Sequence, residues 1–151
     1  MGATGPAMAH VFPSPEWVAA YRDAINASEG YRRAGREWTH GVVAMVVKAD
    51  PALGIERDLA MMLDVHQGEC RTAALVDGSE SASAAFVIVS DYPRWKSVLL
   101  REVDPTKAMM QGKLRLTKGH MPTMIKFVQA SKELVDAASH VATTFRDAPA
   151  A

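Results

Sequence analysis

Apolar residues recur at helical spacing in the first part of the chain. Ser14-Pro15-Glu16 supplies a capping side chain, a proline suited to the first helical position, and an acid at the positive end of the helix dipole. Trp17, Tyr21 and Ile25 then fall on one face. This pattern predicts a helix that ends near residues 26–30, followed by a second short helix at about 31–38.

Four segments in the middle of the chain follow strand patterns instead. Residues 41–48 and 82–90 are rich in valine and apolar on both faces, which predicts buried strands, with 82–90 central in the sheet. Residues 59–68 alternate between two faces in their second half. Residues 68–78 form a third strand bounded by glycines. The short connection at Gly68 makes these two segments candidate partners in a hairpin.

The remainder of the chain returns to helical spacing, with one interruption. Tyr92-Pro93 begins a helix that runs to about residue 103, and Asp104-Pro105 begins a short one that Gly112 ends. Residues 113–118 alternate as an amphipathic strand. A long helix is predicted over about 122–139. The predicted order is therefore α-α-β-β-β-β-α-α-β-α.

Composition places this pattern in one ordinary domain. The chain has 151 residues, 48% of them apolar, which is enough to bury a core without disulfides. We expect a single domain at 14–145, a flexible leader at 1–13 and a flexible tail at 146–151. The leader has no basic region or long apolar run of the secretory type. No stretch reaches the roughly 18 apolar residues of a membrane span. These features predict a cytoplasmic protein.

Charge and cysteine content exclude several function classes. Seventeen basic and seventeen acidic residues cancel, so no global field would hold nucleic acid. The basic strand around Arg115 has no interleaved aromatic residues, so no nucleic-acid partner is predicted. Cys70 is the only cysteine, which rules out an intramolecular disulfide and a cysteine-rich zinc site. No phosphate-binding glycine motif is present. The sequence therefore predicts no cofactor and no metal.

Catalytic chemistry has few candidates. Asp64 and His66 share one strand face and could serve as two metal ligands or as an acid–base pair. A metal site needs more ligands, and no second pair of histidine or acidic residues stands at comparable spacing. Cys70 lacks a cationic neighbour on its own face, because strand alternation turns Arg71 to the other side. We predict a protein that is not an enzyme. The alternatives left open are a small α+β thioesterase or cyclase acting on an acyl substrate, and an interaction domain with a packed core.

Methionine is abundant, with nine in the chain. Its side chain is unbranched, adaptable and polarizable, so it suits both core filling and a wall around apolar guests of variable shape. Met109 and Met110 lie inside the segment DPTKAMMQGKLRLTKG at 104–119, where a short helix ends and a strand begins. Neither residue has a catalytic or metal-binding role there, so core filling and a cavity wall both remain open for this pair.

This segment, together with AAFVIVSDYPRWKSVL at 84–99 and the long helix that follows, resembles the sterol carrier protein type 2 family of small lipid-binding domains. The resemblance covers roughly residues 14–145. Its most specific positions are Asp104, Pro105, Ala108, Met109, Gly112, Lys113, Leu114, Leu116 and Gly119. It implies an α+β fold, with a mostly antiparallel five-stranded sheet covered on one face by helices. It also implies an apolar tunnel between sheet and helices, and no catalytic residues.

The resemblance leads to a prediction of the ligand and its contacts. The expected ligand is a fatty acid, an acyl-CoA or a sterol-like lipid, which the protein binds, with intracellular transfer and transient membrane contact as further options. The oligomeric state is left open, with a homodimer as one option. The helical wall is expected to contain Met109, Met110, Met121, Met124, Ile125 and Val128. The sheet floor is expected to contain Met62, Phe86, Ile88 and Leu114. The sequence does not decide which sheet face lines the tunnel.

Overall fold

The structure is a computed structural model and describes residues 9–147. Its strands are β1 (His10–Phe12), β2 (Val43–Val47), β3 (Leu59–His66), β4 (Glu69–Asp77), β5 (Phe86–Ser90), β6 (Arg115–Lys118) and β7 (Thr143–Phe145). Its α-helices are α1 (Pro15–Ala27), α2 (Glu29–Ala34), α3 (Tyr92–Leu99), α4 (Pro105–Met110), α5 (Met121–Lys126) and α6 (Val128–Ala138). Two 3-10 turns lie at Pro51–Leu53 and Gly78–Ser83.

The main sheet has five strands in the order β4-β3-β2-β5-β6. Only β2 and β5 pair in parallel, and the other three pairings are antiparallel. The prediction of a mostly antiparallel five-stranded α+β fold is therefore confirmed. β3 and β4 form the predicted hairpin, turning through Gln67 and Gly68, both of which have positive φ. β2 and β5 lie inside the sheet, as their two apolar faces indicate.

Helix starts follow the capping signals in the sequence. The Ser14 Oγ accepts a hydrogen bond from the Trp17 amide at 3.1 Å, which fixes the first turn of α1. The Asp104 carboxylate accepts bonds from the amides of Thr106 and Lys107 at 2.9 and 3.1 Å, which fixes the first turn of α4. Both helices have proline in their first turn, where the missing amide hydrogen costs nothing.

The predicted long C-terminal helix is wrong in one respect. It is split at Phe127 into α5 and α6, with Phe127 itself outside helical geometry at φ −99° and ψ 32°. The break turns the Phe127 ring into the core, where it lies 5.0 Å from the Trp38 ring, centroid to centroid. Helical periodicity continues across the break, so the sequence pattern alone predicts one helix.

The predicted ends of the domain also need correction. His10–Phe12, assigned to a flexible leader, pairs in parallel with Thr143–Phe145 in a separate two-stranded sheet. Arg146, assigned to the tail, is anchored as well, because its guanidinium donates to the carbonyls of Leu53 and Pro13 at 3.3 and 2.7 Å. The ordered unit is therefore wider than 14–145 on both sides. Residues 1–8 and 148–151 of the predicted leader and tail lie outside the described residues.

The two faces of the main sheet are covered differently. One face carries the large core, over which α1 to α6 pack. The other face carries a small cluster of short side chains beneath the 3-10 turn at Gly78–Ser83. Alternation along each strand sends neighbouring residues to opposite faces. On β3, for example, Met61 joins the large core whereas Ala60 joins the small cluster.

Candidate functional site

A cavity lies inside the large core, between the sheet and the helices, and is called here the central cavity. The sheet contributes Val43, Met45, Met61, Val65 and Ile88. Helices α1 and α2, with the loop that follows, contribute Trp17, Tyr21, Tyr31 and Trp38. The segment from α3 to β6 contributes Trp95, Val98, Leu99, Pro105, Met109 and Leu114. Helices α5 and α6, with the break between them, contribute Met124, Phe127, Ala130, Ser131, Leu134 and Val135.

The open space in this cavity is about 60 Å³, enough for a few waters on the scale of roughly 10–15 Å³ each. Pockets that hold drug-sized ligands measure about 300–1,000 Å³. The central cavity is therefore nearly closed in this structure, and a large guest requires its walls to move. Four of the lining residues are methionines, whose flexible side chains can change rotamer at low cost.

The three tryptophans of the chain all line the central cavity, and each indole N–H is already satisfied. Trp17 donates to the Thr143 hydroxyl at 2.8 Å, Trp38 to the Gly41 carbonyl at 3.0 Å, and Trp95 to the Val46 carbonyl at 2.8 Å. Each ring is thus fixed in orientation and presents its carbon surface to the cavity. The tryptophans shape the wall without offering hydrogen-bond donors to a guest.

Two tyrosines complete the end of the cavity nearest α1 and α2. The Tyr21 hydroxyl donates to the Leu134 carbonyl at 2.9 Å. Burial raises the pKa of both Tyr21 and Tyr31, with a smaller contribution from nearby Cys70. Both hydroxyls are therefore uncharged at neutral pH. The cavity wall contains no ionised group among the described residues that line it.

Four residues of the predicted site line this cavity. Ile88 lies on β5, Met109 on α4, Leu114 just before β6, and Met124 on α5. Each is no more than 5% exposed, so the cavity is closed to solvent at these positions. The structure thus brings residues from the predicted sheet floor and from the predicted helical wall to the same space. Their contact with a ligand is a prediction that the geometry permits.

Two sheet residues of the predicted site lie elsewhere. Met62 was placed in the floor, but it lies on the other face of the sheet, because Met61 next to it faces the cavity. Phe86 lies on the correct face and is 5% exposed. Its ring is enclosed by Trp38, 5.1 Å away between centroids, and by the backbone at Gly119. Phe86 therefore packs against Trp38, which lines the cavity, without lining the cavity itself.

Four helical residues of the predicted site also lie outside the lining. Met110 and Ile125 are 65% and 44% exposed, because each follows a lining methionine and is rotated by one helical step away from the cavity. Met121 is half-buried against the large core. Val128, the first residue of α6, is half-buried as well. The helical wall is formed instead by the face of α6 that contains Ala130 and Leu134.

Sequence reasoning missed the β3 contribution to the wall, although its signal was present. Met61 and Val65 share one strand face, and both line the cavity. That alternation separates them from Met62, Asp64 and His66, which lie on the other face. The missing information was which face the helices cover, and strand periodicity does not contain it.

The residue pattern of the segment 104–119 follows from the backbone conformation that the segment adopts, and not from a catalytic or metal-binding role. Asp104 caps α4, and Gly112 adopts a φ of +76°, which side chains other than glycine rarely tolerate. The Ala108 carbonyl accepts bonds from the amides of both Lys113 and Leu114, which fixes the turn into β6. At Gly119, φ is +109° and the Phe86 ring occupies the space where a Cβ atom would lie. These constraints place Met109 and Leu114 side by side in the cavity wall.

A charged surface groove adjoins the central cavity and shares Pro105 and Val135 with it. Its other residues are Arg101, Val103, Asp104, Lys132, Glu133 and Asp136. Two ion pairs lie in this charged groove. Arg101 and Asp136 approach to 2.6 Å, and Lys132 and Asp104 to 3.8 Å. The groove and the cavity thus meet at Pro105 and Val135.

The candidates for catalysis are not assembled into a site. Burial raises the pKa of Cys70 to about 11, despite an opposing effect of Arg22, so its thiol is protonated at neutral pH. Asp64 is paired with Arg71 at 3.0 Å on the sheet face away from the cavity. Residues 9–147 contain no group of three or more histidine, cysteine or acidic side chains that could hold a metal ion. In the same residues, no helix is long and apolar enough to cross a membrane.

Comparisons with known proteins agree with this fold. A crystal structure of sterol carrier protein 2 is 39% identical, with a TM-score of 0.80, covering 85% of this chain and 98% of its own. A solution structure of a conserved hypothetical protein from Thermus thermophilus, described as a candidate sterol carrier protein, is 37% identical with a TM-score of 0.80; the match covers 95% of this chain and 97% of that one.

A more distant structure shares the fold alone. Apo sterol carrier protein 2 from Yarrowia lipolytica is 13% identical, with a TM-score of 0.52, covering 82% of this chain and 89% of its own. No curated protein matches the chain. The sequence model of the SCP-2 sterol transfer family matches residues 23–132, which include all five strands of the main sheet and most of the cavity wall. The chain belongs to the SCP-2 sterol transfer family.

Proposed function

We propose that this protein binds the apolar part of a lipid in the central cavity and shields it from water. Family membership supports lipid binding or transfer in general. The observation that carries the proposal for this chain is the wall itself, which joins sheet and helices around an internal space made almost wholly of carbon and sulfur. Each buried methylene of a ligand contributes about 0.8 kcal/mol, so a chain of twelve to sixteen carbons gains on the order of 10 kcal/mol before binding entropy is subtracted.

Entry of a ligand requires the cavity to widen. We expect the wall to move at Met109 and Met124, which line the cavity and lie on two short helices of six residues each. Short helices are held by tertiary packing rather than by their own stability, so they can shift without unfolding the sheet. We propose that these two methionines move outward as the lipid enters. Transient membrane contact, a homodimer, intracellular transfer of the lipid and a cytoplasmic location stay predictions.

The role is non-catalytic in this proposal. The protonated Cys70 and the ion-paired Asp64 support it, because neither offers a nucleophile or a free base to a guest in the cavity. Incubation of the protein with an acyl-CoA, followed by assay of free thiol, tests this point. Sustained turnover that Asp64→Ala abolishes would contradict a purely binding role.

The proposal is tested with a matched pair of substitutions on α4. Met109→Trp places a large ring into the cavity, whereas Met110→Trp places the same ring on the exposed side of the same helix. We expect at least tenfold weaker binding of a pyrene-labelled alkyl chain by Met109→Trp and unchanged binding by Met110→Trp. Thermal unfolding of both variants controls for lost structure.

Native mass spectrometry of the freshly purified protein provides an independent test. The expected result is a fraction of molecules with a bound lipid that organic extraction removes. A protein that carries no lipid and binds no labelled chain would support the alternative of a packed-core interaction domain, which the small volume of the cavity favours.

A further inference from the structure

We infer that a second binding site, separate from the central cavity, holds the phosphate group of a small, water-soluble phosphomonoester. The site is a surface pocket between α1, α2 and the start of β4, and it is called here the arginine pocket. Three arginines and three other residues line it: Arg22, Asn26, Arg32, Glu69, Cys70 and Arg71. The site is independent of the proposed function, because none of these residues lines the central cavity.

The floor of the arginine pocket is held by Asn26, near the end of α1. Its side-chain amide donates to the Cys70 carbonyl at 2.9 Å, and its side-chain oxygen accepts a bond from the Cys70 amide at 2.8 Å. The turn before β4 packs closely on α2, since a Cβ atom at Gly68 would collide with the Arg32 backbone. These contacts fix α1, α2 and β4 to one another, so the pocket has a rigid frame.

Positive charge is in excess in the arginine pocket. Three guanidinium groups accompany a single carboxylate, that of Glu69, although the chain as a whole has no net charge. Arg71 is neutralised by Asp64 at 3.0 Å. Arg22 and Arg32 make no ion pair with any residue in the part of the chain that the structure describes. The pocket therefore presents two cations that have no counter-ion in the protein.

Both of these cations are close to the floor of the pocket. The Arg32 guanidinium donates to the Asn26 carbonyl at 3.0 Å, which orients its planar group without neutralising it. Burial raises the pKa of Cys70, and the charge of Arg22 opposes this rise, which indicates that the Arg22 guanidinium lies near Cys70. An anion that enters the pocket can thus approach both guanidinium groups.

This pair of cations favours phosphate over other anions. A phosphate monoester carries a charge of about −1.5 to −2 at pH 7 and presents three acceptor oxygens. Guanidinium groups bind phosphate oxygens through two parallel N–H bonds, and such charge-assisted bonds are stronger than bonds between neutral groups. A carboxylate has one charge and would leave one of the two arginines unneutralised. A phosphate monoester matches both.

The size and the lining of the pocket indicate the remainder of the ligand. The open space is about 440 Å³, within the range of about 300–1,000 Å³ that is typical of small-molecule sites and larger than a phosphate alone needs. The Glu69 carboxylate accepts hydrogen bonds and repels phosphate, so hydroxyl groups of the ligand fit beside it. An anionic bilayer would instead bring a plane of negative charge against Glu69. The expected ligand is therefore a phosphorylated molecule with a hydroxylated, sugar-like remainder.

Isothermal titration calorimetry at pH 7.5 and low ionic strength tests this inference with ribose 5-phosphate, ribose and inorganic phosphate. We expect ribose 5-phosphate to bind at one saturable site, at least tenfold more tightly than ribose and severalfold more tightly than inorganic phosphate. No saturable binding of ribose 5-phosphate overturns the inference. Vesicles of phosphatidylglycerol form a second arm of the test. Binding to vesicles that ribose 5-phosphate does not displace would make the pocket a membrane contact and would overturn the inference as well.

A matched pair of substitutions on α2 separates the pocket from general attraction between charges. Arg32→Gln removes a lining cation, whereas Arg33→Gln removes the same charge from the next position, which is exposed and outside the lining. Arg32→Gln should weaken binding of ribose 5-phosphate about tenfold, and so should Arg22→Gln. Arg33→Gln should weaken it less than twofold. Equal weakening by Arg32→Gln and Arg33→Gln overturns the inference.

Glu69→Gln tests the place of the hydroxyl groups. Loss of the carboxylate should strengthen binding of inorganic phosphate severalfold and reduce the preference for ribose 5-phosphate over inorganic phosphate. An unchanged preference overturns the sugar-like remainder. Every variant of the pocket should bind the pyrene-labelled alkyl chain as the wild-type protein does, so failure of this inference is distinct from failure of the proposed function. Thermal unfolding of each variant controls for lost structure.

Discussion

The two faces of the five-stranded sheet differ in the size of the side chains that pack on them. The face beneath the helices carries large side chains such as Met61, Phe86 and Leu114, and it leaves about 60 Å³ unfilled. The opposite face carries alanines and valines under a 3-10 turn, with Ala44 and Ala60 fully buried. The same strands contribute to both faces, because successive side chains along a strand point to opposite faces of the sheet.

This difference shows where the molecule tolerates a change of volume. Short, stiff side chains pack closely and have few alternative rotamers, so the face under the 3-10 turn is rigid. Long side chains around an internal space can rearrange. We therefore expect the helix-covered face to accept guests, and the opposite face to hold the sheet in shape.

The largest expected effect comes from removing a wall residue. Leu114 is 1% exposed, and Leu114→Ala should lower the free energy of unfolding by about 3 kcal/mol. Met62→Ala, on the half-buried opposite face, removes a side chain of similar size and should cost only about 1 kcal/mol. Urea denaturation of both variants measures the two values. Equal losses of the free energy of unfolding in the two variants would show that the two faces contribute equally to stability.

Substitutions that add volume should destabilise the opposite face more than the helix-covered face, the reverse of the order expected for substitutions that remove volume. Ala60→Val inserts two methyl carbons where nothing is open and should cost about 2 kcal/mol. Val98→Ile adds one carbon toward the central cavity and should change stability by less than about 0.5 kcal/mol. Thermal and urea unfolding check both. A loss of stability in Val98→Ile equal to that in Ala60→Val would mean that the cavity cannot adjust.

The sequence predicts the sheet well because its evidence is local. Alternation in the second half of 59–68, followed at Gly68 by a glycine-bounded strand at 68–78, predicts a hairpin without reference to the remainder of the chain. The capping residues Ser14 and Asp104 likewise act within one helical turn. Such features can be predicted from neighbouring residues alone, without knowing which surfaces of the helices and strands pack against each other.

The remaining errors have physical causes that lie outside local pattern. β1 and β7 have three residues each, too few for periodicity, and their pairing joins residues 10–12 to 143–145. Met62 on β3 is expected in the sheet floor because the sequence does not decide which sheet face the helices cover; β5, for example, is apolar on both faces. Met110 and Ile125 were assigned by residue type, whereas the helical phase turns them to solvent. A filled core and a cavity also show the same periodicity.

One carboxylate caps the 3-10 turn that covers the opposite face. Asp77 accepts hydrogen bonds from the Ser79 amide and hydroxyl at 2.9 and 2.8 Å and pairs with Arg57 at 3.0 Å. The Ser79 amide first, then its hydroxyl and Arg57, lower the pKa of Asp77 from 3.8 to about 2. Because the folded value is the lower one, its stabilisation is complete above about pH 4 and is lost as the pH falls toward 2.

Hydrogen exchange measures this dependence locally. Asp77→Asn should reduce the protection of amides in Gly78–Ser83 severalfold at pH 6, and acidification of the wild-type protein toward pH 2 should do the same. Lipid binding in the central cavity should be unchanged in Asp77→Asn at pH 6. Glu80→Gln on the same turn serves as the control. Loss of lipid binding together with protection would mean that the two faces are coupled.

The smallest expected effect concerns the helix-covered face. Arg101 pairs with Asp136 on α6 at 2.6 Å, but the two side chains are 59% and 46% exposed. Exposed pairs contribute little, so a double-mutant cycle with Arg101→Ala and Asp136→Ala should give a coupling of about 0.5 kcal/mol. In about 1 M salt the coupling should weaken, because the Debye length falls to roughly 3 Å, which is comparable to the separation of the pair.

Backbone geometry at Arg101 sharpens this last expectation. Its φ of +60° lies in the left-handed region, where glycine is unstrained. Arg101→Gly should therefore cost less than Arg101→Ala, although both remove the ion pair equally. A coupling of that size would leave the helices held over the cavity by apolar packing rather than by charge, as the proposed movement of Met109 and Met124 requires. A coupling above about 2 kcal/mol that survives high salt would instead make the pair a latch that keeps the cavity closed.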